Sequence, residues 1–126
     1  MSQWPDDRSY TSEHEWVRLT GGIARVGVTA HAAEALGDIV FVTLPTVGTE
    51  VSAGDACAEL ESTKSVSDVY APVGGVIAAI NEAIGDAPET ISADPHQDGW
   101  LFDIEVGDEV PNGLLDADAY DRLVSG

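Results

Sequence analysis

The apolar residues of this chain recur mostly with a period of two, in runs too short for helices, and that property limits the fold to packed β-sheets. Ile39-Val-Phe-Val-Thr-Leu44 is the strongest run, β-branched and ended by Pro45, and it reads as a central strand. Trp16-Val17-Arg18-Leu19 reads as a strand closed by the Gly21-Gly22 turn, and Ile23 to Val28 returns beside it. Ala56 to Ser62 alternates, with Ala56, Ala58, Leu60 and Ser62 on one face and Cys57, Glu59 and Glu61 on the other. Val66 to Tyr70, Gly75 to Ile80 and Trp100 to Val106 read as further strands. Gly-Asp pairs at 37, 54, 85 and 107 read as turn punctuation near strand ends; a phosphate loop would need clustered glycines opening a helix. Helices are expected only at the margins. Thr29 caps Ala30 to Leu36 with Gly37 at the far end, and Asp116 caps a C-terminal helix over 116–124 carrying Ala119, Tyr120 and Leu123 on one stripe. The predicted class is mainly β, an antiparallel sandwich or flattened barrel.

A length of 126 residues fits one domain, expected over 10–126, behind a loose polar segment at 1–9 in which Trp4 is a candidate anchor. No apolar run is long enough to cross a bilayer. The opening has neither a basic nor an apolar region of the secretory kind, so the cytoplasm is the expected compartment. Cys57 is the single cysteine, which excludes an intrachain disulfide and a cysteine-built metal site. A formal charge of −18 repels phosphate backbones and anionic membranes, so neither nucleic acid nor a membrane is an expected partner. Of five basic residues, four are arginine (Arg8, Arg18, Arg25, Arg122) and one is Lys64. Many acids with almost no lysine is the surface expected of a salt-adapted cytoplasm, where counterions screen self-repulsion.

Lys64 is the residue on which function turns. It lies in Leu60-Glu61-Ser62-Thr63-Lys64-Ser65-Val66-Ser67-Asp68, with strand signals on both sides, so the reversal falls near Thr63-Lys64 and places the amine at a hairpin tip. An exposed tip on a rigid sheet suits a covalent carrier, because a modifying enzyme must reach the amine and the finished arm must swing. An ordinary surface lysine is the competing reading. A Schiff-base or general-base lysine needs a desolvated amine or a neighbouring cation, whereas Glu59, Glu61 and Asp68 surround this one. His14, His31 and His96 lack metal-ligand spacing, so no metal site is expected. Trp16 and Trp100 read as packing residues, and Cys57 as a small buried side chain.

Several motifs in order resemble the H-protein family of the glycine cleavage system. They are Tyr10-Thr-Ser-Glu-His-Glu-Trp-Val17, Val26-Gly-Val-Thr29, Leu36-Gly-Asp-Ile-Val-Phe-Val42, Leu44-Pro-Thr-Val-Gly48, Glu61-Ser-Thr-Lys-Ser-Val-Ser-Asp68, Tyr70-Ala-Pro-Val-Gly-Gly-Val76 and Asp94-Pro-His-Gln-Asp-Gly-Trp-Leu101. Thr63 and Ser65 stand where the family usually has Val and Ala, His96 replaces a usual Tyr, and Glu89-Thr-Ile-Ser92 departs from a usual Leu-Val-Asn pattern.

The resemblance implies a barrel-sandwich hybrid of the lipoyl and biotinyl type, and a non-catalytic carrier with lipoate in amide linkage to Lys64. It implies four partners. A pyridoxal-phosphate glycine decarboxylase would load an aminomethyl group. An aminomethyltransferase would pass the carbon to tetrahydrofolate, and dihydrolipoyl dehydrogenase would reoxidise the dithiol. A lipoate ligase or lipoyl/octanoyl transferase would attach the arm. By motif position, Glu15 and Asp68, with Ser67 beside Asp68, would hold the ammonium of the loaded arm in a cleft. A biotinyl carrier would flank its lysine with methionines, and Met1 is the only methionine. A lipoyl domain of a 2-oxoacid dehydrogenase would lack the His14-Glu15-Trp16 opening. A role as lipoyl donor to other proteins uses the same lysine. A hydrolase or lyase would need a nucleophile and base that no motif supplies. No large apolar patch or heptad is evident, so a monomer is expected.

Overall fold

Alternation along β6 (Ala56–Ser62) decides which way the chain faces: Ala58, Leu60 and Ser62 are buried, while Glu59 and Glu61 are exposed. The computed structural model describes residues 4–106 and 114–125. Its other strands are β1 (Ser9–Tyr10), β2 (Glu15–Thr20), β3 (Ile23–Val28), β4 (Ile39–Thr43), β5 (Glu50–Val51), β7 (Val66–Tyr70), β8 (Gly75–Ile80) and β9 (Phe102–Glu105). Its helices are α1 (Ala30–Leu36), α2 (Glu82–Asp86), α3 (Glu89–Ala93) and α4 (Ala117–Ser125). One sheet runs β1-β2-β3-β9-β8-β5 and the other β4-β6-β7, with every pairing antiparallel. The expected class, mainly β antiparallel sheets with a few short helices, is the one observed. None of the described helices is long and apolar enough to cross a membrane.

The main core gathers Val26, Leu60, Ile77, Leu101, Phe102 and Ile104, from both sheets. Burying side chains of this size contributes ~1.5–3 kcal/mol each, which is what holds the sheets face to face. A second cluster of Trp4, Tyr10, Trp16, Ala117 and Tyr120 ties the N-terminal strands to α4. Tyr10 and Tyr120 stack with ring centroids 4.8 Å apart, and Tyr10 exchanges two 2.7 Å backbone hydrogen bonds with Leu115. Trp16 lies across its register partner Gly27, where a Cβ would stand 2.6 Å from the indole, so the glycine makes room for the ring. Within the segment read as loose, Trp4 is buried, Arg8 donates to the His96 carbonyl, and Ser9 pairs with Val17.

α1 starts and stops as read, with the Thr29 hydroxyl accepting from Ala32 N and Gly37 N–H closing onto Ala33 O. Asp116 caps α4 through a 2.7 Å bond from Ala119 N. Four expectations change. β4 is an edge strand and β6 the central one of its sheet, and a register shift between Ile39 and Phe41 leaves both Val40 and Phe41 outward. The inward residues of α4 are Ala117, Tyr120 and Val124, and Leu123 faces solvent. The last strand is shorter than 100–106, because Leu101 N–H bonds Val26 O ahead of the ladder. Gly85-Asp86 lies inside α2 rather than in a turn, held there by buried Ile84. The pair at 107 lies outside the described residues.

Candidate functional site: the hairpin tip at Lys64

The β6–β7 hairpin reverses at Lys64 because of a serine. Glu61 and Val66 form the last strand pair, and Ser62 N–H bonds Ser65 O at 2.8 Å. The buried Ser62 hydroxyl accepts from Lys64 N at 3.1 Å and Ser65 N at 3.0 Å, and donates to Ser65 O at 3.1 Å. It replaces the glycine or asparagine that a tight turn usually needs. Thr63 N–H donates to Asp38 O, which fastens the tip to the turn after α1.

Lys64 itself is exposed, and its stem lies along Gly37, where a Cβ would come 3.4 Å from Lys64 Cε. Gly37 has φ +82°, a conformation that favours glycine at the end of α1, and the stem passes it at ordinary contact distance. Beside it a cleft of about 400 Å³ opens between α1 and α3, lined by Ala33, Gly37, Asp38, Ser92 and Pro95. Ser92 Oγ donates to Gly37 O and holds that wall.

The three residues assigned to a cleft are placed differently from one another. Ser67 and Asp68 are consecutive on β7, so they point to opposite faces; Ser67 is half-buried and Asp68 exposed. Glu15 is 2% exposed, accepting from Thr11 Oγ1 at 3.0 Å and from Tyr70 N, at the far end of β7, at 2.9 Å. Burial pushes its carboxyl up to about 7 against those two hydrogen bonds, which favour the charged form.

The histidines form contacts that their sequence separation hides. His14 adopts φ +67° and its Nδ1 lies 2.7 Å from the Tyr120 hydroxyl, which in turn lies 2.7 Å from Thr29 Oγ1. The His14 and His31 rings are 4.5 Å apart, and burial followed by that neighbour holds His14 below the usual histidine range. His96 Nε2 accepts the Ala30 N–H at the start of α1, and burial followed by Arg8 lowers its pKa. Trp16 is enclosed and donates to Pro95 O; Trp100 carries Arg25 stacked 3.9 Å above its ring. Both are packing residues, as read.

The sequence profile described as Glycine cleavage H-protein matches residues 8–126. The chain belongs to the glycine cleavage H-protein family. It is similar to the glycine cleavage system H protein of Beutenbergia cavernae, 57% identical over 122 residues and covering 97% of each chain. The corresponding protein of an Enterobacter species is 53% identical over 126 residues, 98% of each chain. The crystal structure of a glycine cleavage system H protein from Mycobacterium marinum superposes with a TM-score of 0.90 at 46% identity, covering 98% of this chain and all of that one. Membership in the H-protein family makes the chain a lipoyl-carrier component of glycine cleavage.

Proposed function

We propose that Lys64 is the residue to which lipoate is covalently joined, making the chain the non-catalytic shuttle between the enzymes of glycine cleavage. The observation that carries this reading is the tip itself. An exposed amine stands on a turn locked by Ser62, its stem passing beside Gly37, and the amine forms no ion pair with the described residues. These residues fit the group, because an amine that forms no ion pair with the described residues becomes an amide without losing one. In that conversion Nζ attacks an activated lipoyl carboxyl carbon, the activating group leaves with its bonding pair, and the Nζ proton passes to solvent. When attached, the dithiolane supplies a disulfide that takes up a one-carbon amine unit and two electrons. The chain's own task is then positional: the Ser62 clamp keeps the arm's root in one place while partners approach it.

The partners in this reading are the pyridoxal-phosphate glycine decarboxylase, the aminomethyltransferase with tetrahydrofolate, dihydrolipoyl dehydrogenase, and a lipoate ligase or lipoyl/octanoyl transferase. The working form is a cytoplasmic monomer. Asp68 is the exposed acid that meets the loaded arm's ammonium. Glu15 completes the resting place by holding Tyr70 N–H at the end of β7, and Ser67 stands half-buried beside Asp68. Glu15→Ala, which removes the acceptor for Tyr70 N–H, then shortens the lifetime of the loaded arm, and an unchanged lifetime removes Glu15 from this role. A salt-adapted host accounts for the charge of −18, since the ion pairs among the described residues engage only Asp7 and Asp103. The attachment is tested with a lysine-specific protease on protein from its native host. Modified chain resists cleavage after Lys64 and carries a lipoyl mass; complete cleavage with no adduct refutes the carrier assignment at this residue.

A further inference from the structure

All three histidines of the chain gather at the start of α1. They come from separate parts of the chain: His14 from the turn before β2, His31 from α1 itself and His96 from the loop after α3. Two of them serve as hydrogen-bond acceptors, which only a neutral ring can do. His96 Nε2 takes the N–H of Ala30, the first residue of α1, at 3.1 Å. His14 Nδ1 ends a chain of hydrogen bonds that is satisfied in one direction. Ala32 N–H donates to Thr29 Oγ1, the Thr29 hydroxyl donates to the Tyr120 oxygen, and the Tyr120 hydroxyl donates to His14 Nδ1, the last two at 2.7 Å. A proton on Nδ1 reverses this chain. Tyr120 then has to donate to Thr29, and the Thr29 hydroxyl, 0% exposed, is left without an acceptor among the described residues. A proton on His96 Nε2 likewise sets two donors against each other at Ala30.

We propose that these histidines form an acid-sensitive latch: neutral His14 and His96 hold α1 in place, and their protonation frees the helix together with the turn at Gly37-Asp38 on which the Lys64 tip rests. Glu13 on its own turn and His31, whose ring lies 4.5 Å away on α1, face His14, and α4 brings the Tyr120 hydroxyl. Arg8 of the N-terminal segment and Asp94 of its own loop face His96, which packs against Trp4. Burial first, and then His31 and Arg8, keep the two rings neutral against Glu13 and Asp94. The latch is therefore closed at neutral pH and opens as pH falls below the usual histidine range. The seven residues of α1 carry the effect about 10 Å, to the end where Gly37 lies beside the Lys64 stem and Asp38 O accepts Thr63 N–H. The latch belongs to the bare chain; its loosening of the root of a lipoyl arm rests on the attachment reading above.

The test is amide hydrogen exchange of the full-length unmodified chain, read by NMR at pH 8 and pH 5 in the same high salt, with each rate divided by the intrinsic rate at that pH. From the higher to the lower pH the protection of the Ala33, Gly37 and Thr63 N–H groups should fall about tenfold, while Ile77 and Leu101, bonded to Thr49 O and Val26 O, lose none. Glu15, raised by burial, favours the folded chain on the acid side, so general loosening does not imitate this result. The variant His14→Gln/His96→Gln keeps an acceptor oxygen at both places and has no proton to gain, so its α1 protection should change by less than about twofold. Where that pair does not fold, the single variants are compared, and each should lose part of the acid response. An α1 that keeps its protection in acid overturns the proposal. So does an equal fall in the variants, or an equal fall at Ile77 and Leu101. The chain in this test carries no lipoyl group, so a failure of attachment at Lys64 leaves the result unchanged and the two readings fail separately.

Discussion

Replacing Glu15 with glutamine isolates one buried carboxyl and gives a signed, sizeable result. Glu15 is 2% exposed, and burial raises its pKa from the usual 4.5 to about 7 despite hydrogen bonds from Tyr70 N and Thr11. A group whose pKa is higher folded than unfolded contributes stability that is fully present below the unfolded value, here 4.5, and is lost as pH rises through about 7. At ~1.4 kcal/mol per pH unit the rise amounts to about 3 kcal/mol, of which about 2 to 3 kcal/mol falls between pH 5 and pH 8. A glutamine keeps an oxygen for Tyr70 N–H and has no charge to desolvate, so it removes this slope. His14 and His96, both lowered, act in the opposite direction, their stability being lost as pH falls below the usual histidine range. They are common to both proteins and cancel in the difference. The measurement is urea unfolding of wild type and Glu15→Gln at pH 5 and pH 8 in the same high salt. The variant should gain on wild type by about 2 to 3 kcal/mol from the lower to the higher pH. A difference that is the same at both values would refute the account of Glu15 as a carboxyl kept neutral by burial.

Ser62→Ala takes the acceptor away from Lys64 N and Ser65 N, so stability should fall by about 1–2 kcal/mol and amide exchange at those two positions should accelerate. Equal exchange in both proteins would show that the backbone alone sets the turn. Gly27→Ala puts a methyl group 2.6 Å from the Trp16 ring and should cost about 1–3 kcal/mol in chemical denaturation, with a changed tryptophan fluorescence. The melting temperature of wild type should climb as sodium chloride is added, because self-repulsion at a charge of −18 is screened; a flat response removes the argument for salt adaptation.

The parts of the fold that were legible in the sequence are those where one period and one cap act over several residues. β2, β3, α1 and β6 follow directly from alternation, the Gly21-Gly22 turn and the Thr29 cap. α2 and α3 were not legible, because each is a single five-residue turn held by one buried isoleucine, Ile84 or Ile91, and one residue shows no period. The outward turn of Val40 and Phe41 on β4 is hidden for a related reason: composition cannot show the irregularity at Ile39–Phe41. At the site, the flanking strands place the reversal at Lys64, while its physical cause, the Ser62 hydroxyl, is not legible, because alternation shows only that Ser62 faces inward. The His14–Tyr120–Thr29 chain joins residues about a chain's length apart, and only the folded structure brings them together.

The setting of Lys64 beside Gly37 has a consequence for the proposed attachment. The Lys64 side chain lies beside Gly37 without an ion pair among the described residues, and the turn beneath it is closed by Ser62 and the backbone. Acylating the amine therefore breaks no ion pair and no hydrogen bond among the described residues. Under the proposed attachment, the root of the arm stays the same whether the tip is bare or acylated, and any difference between empty and loaded copies has to arise where the far end of the arm meets the protein.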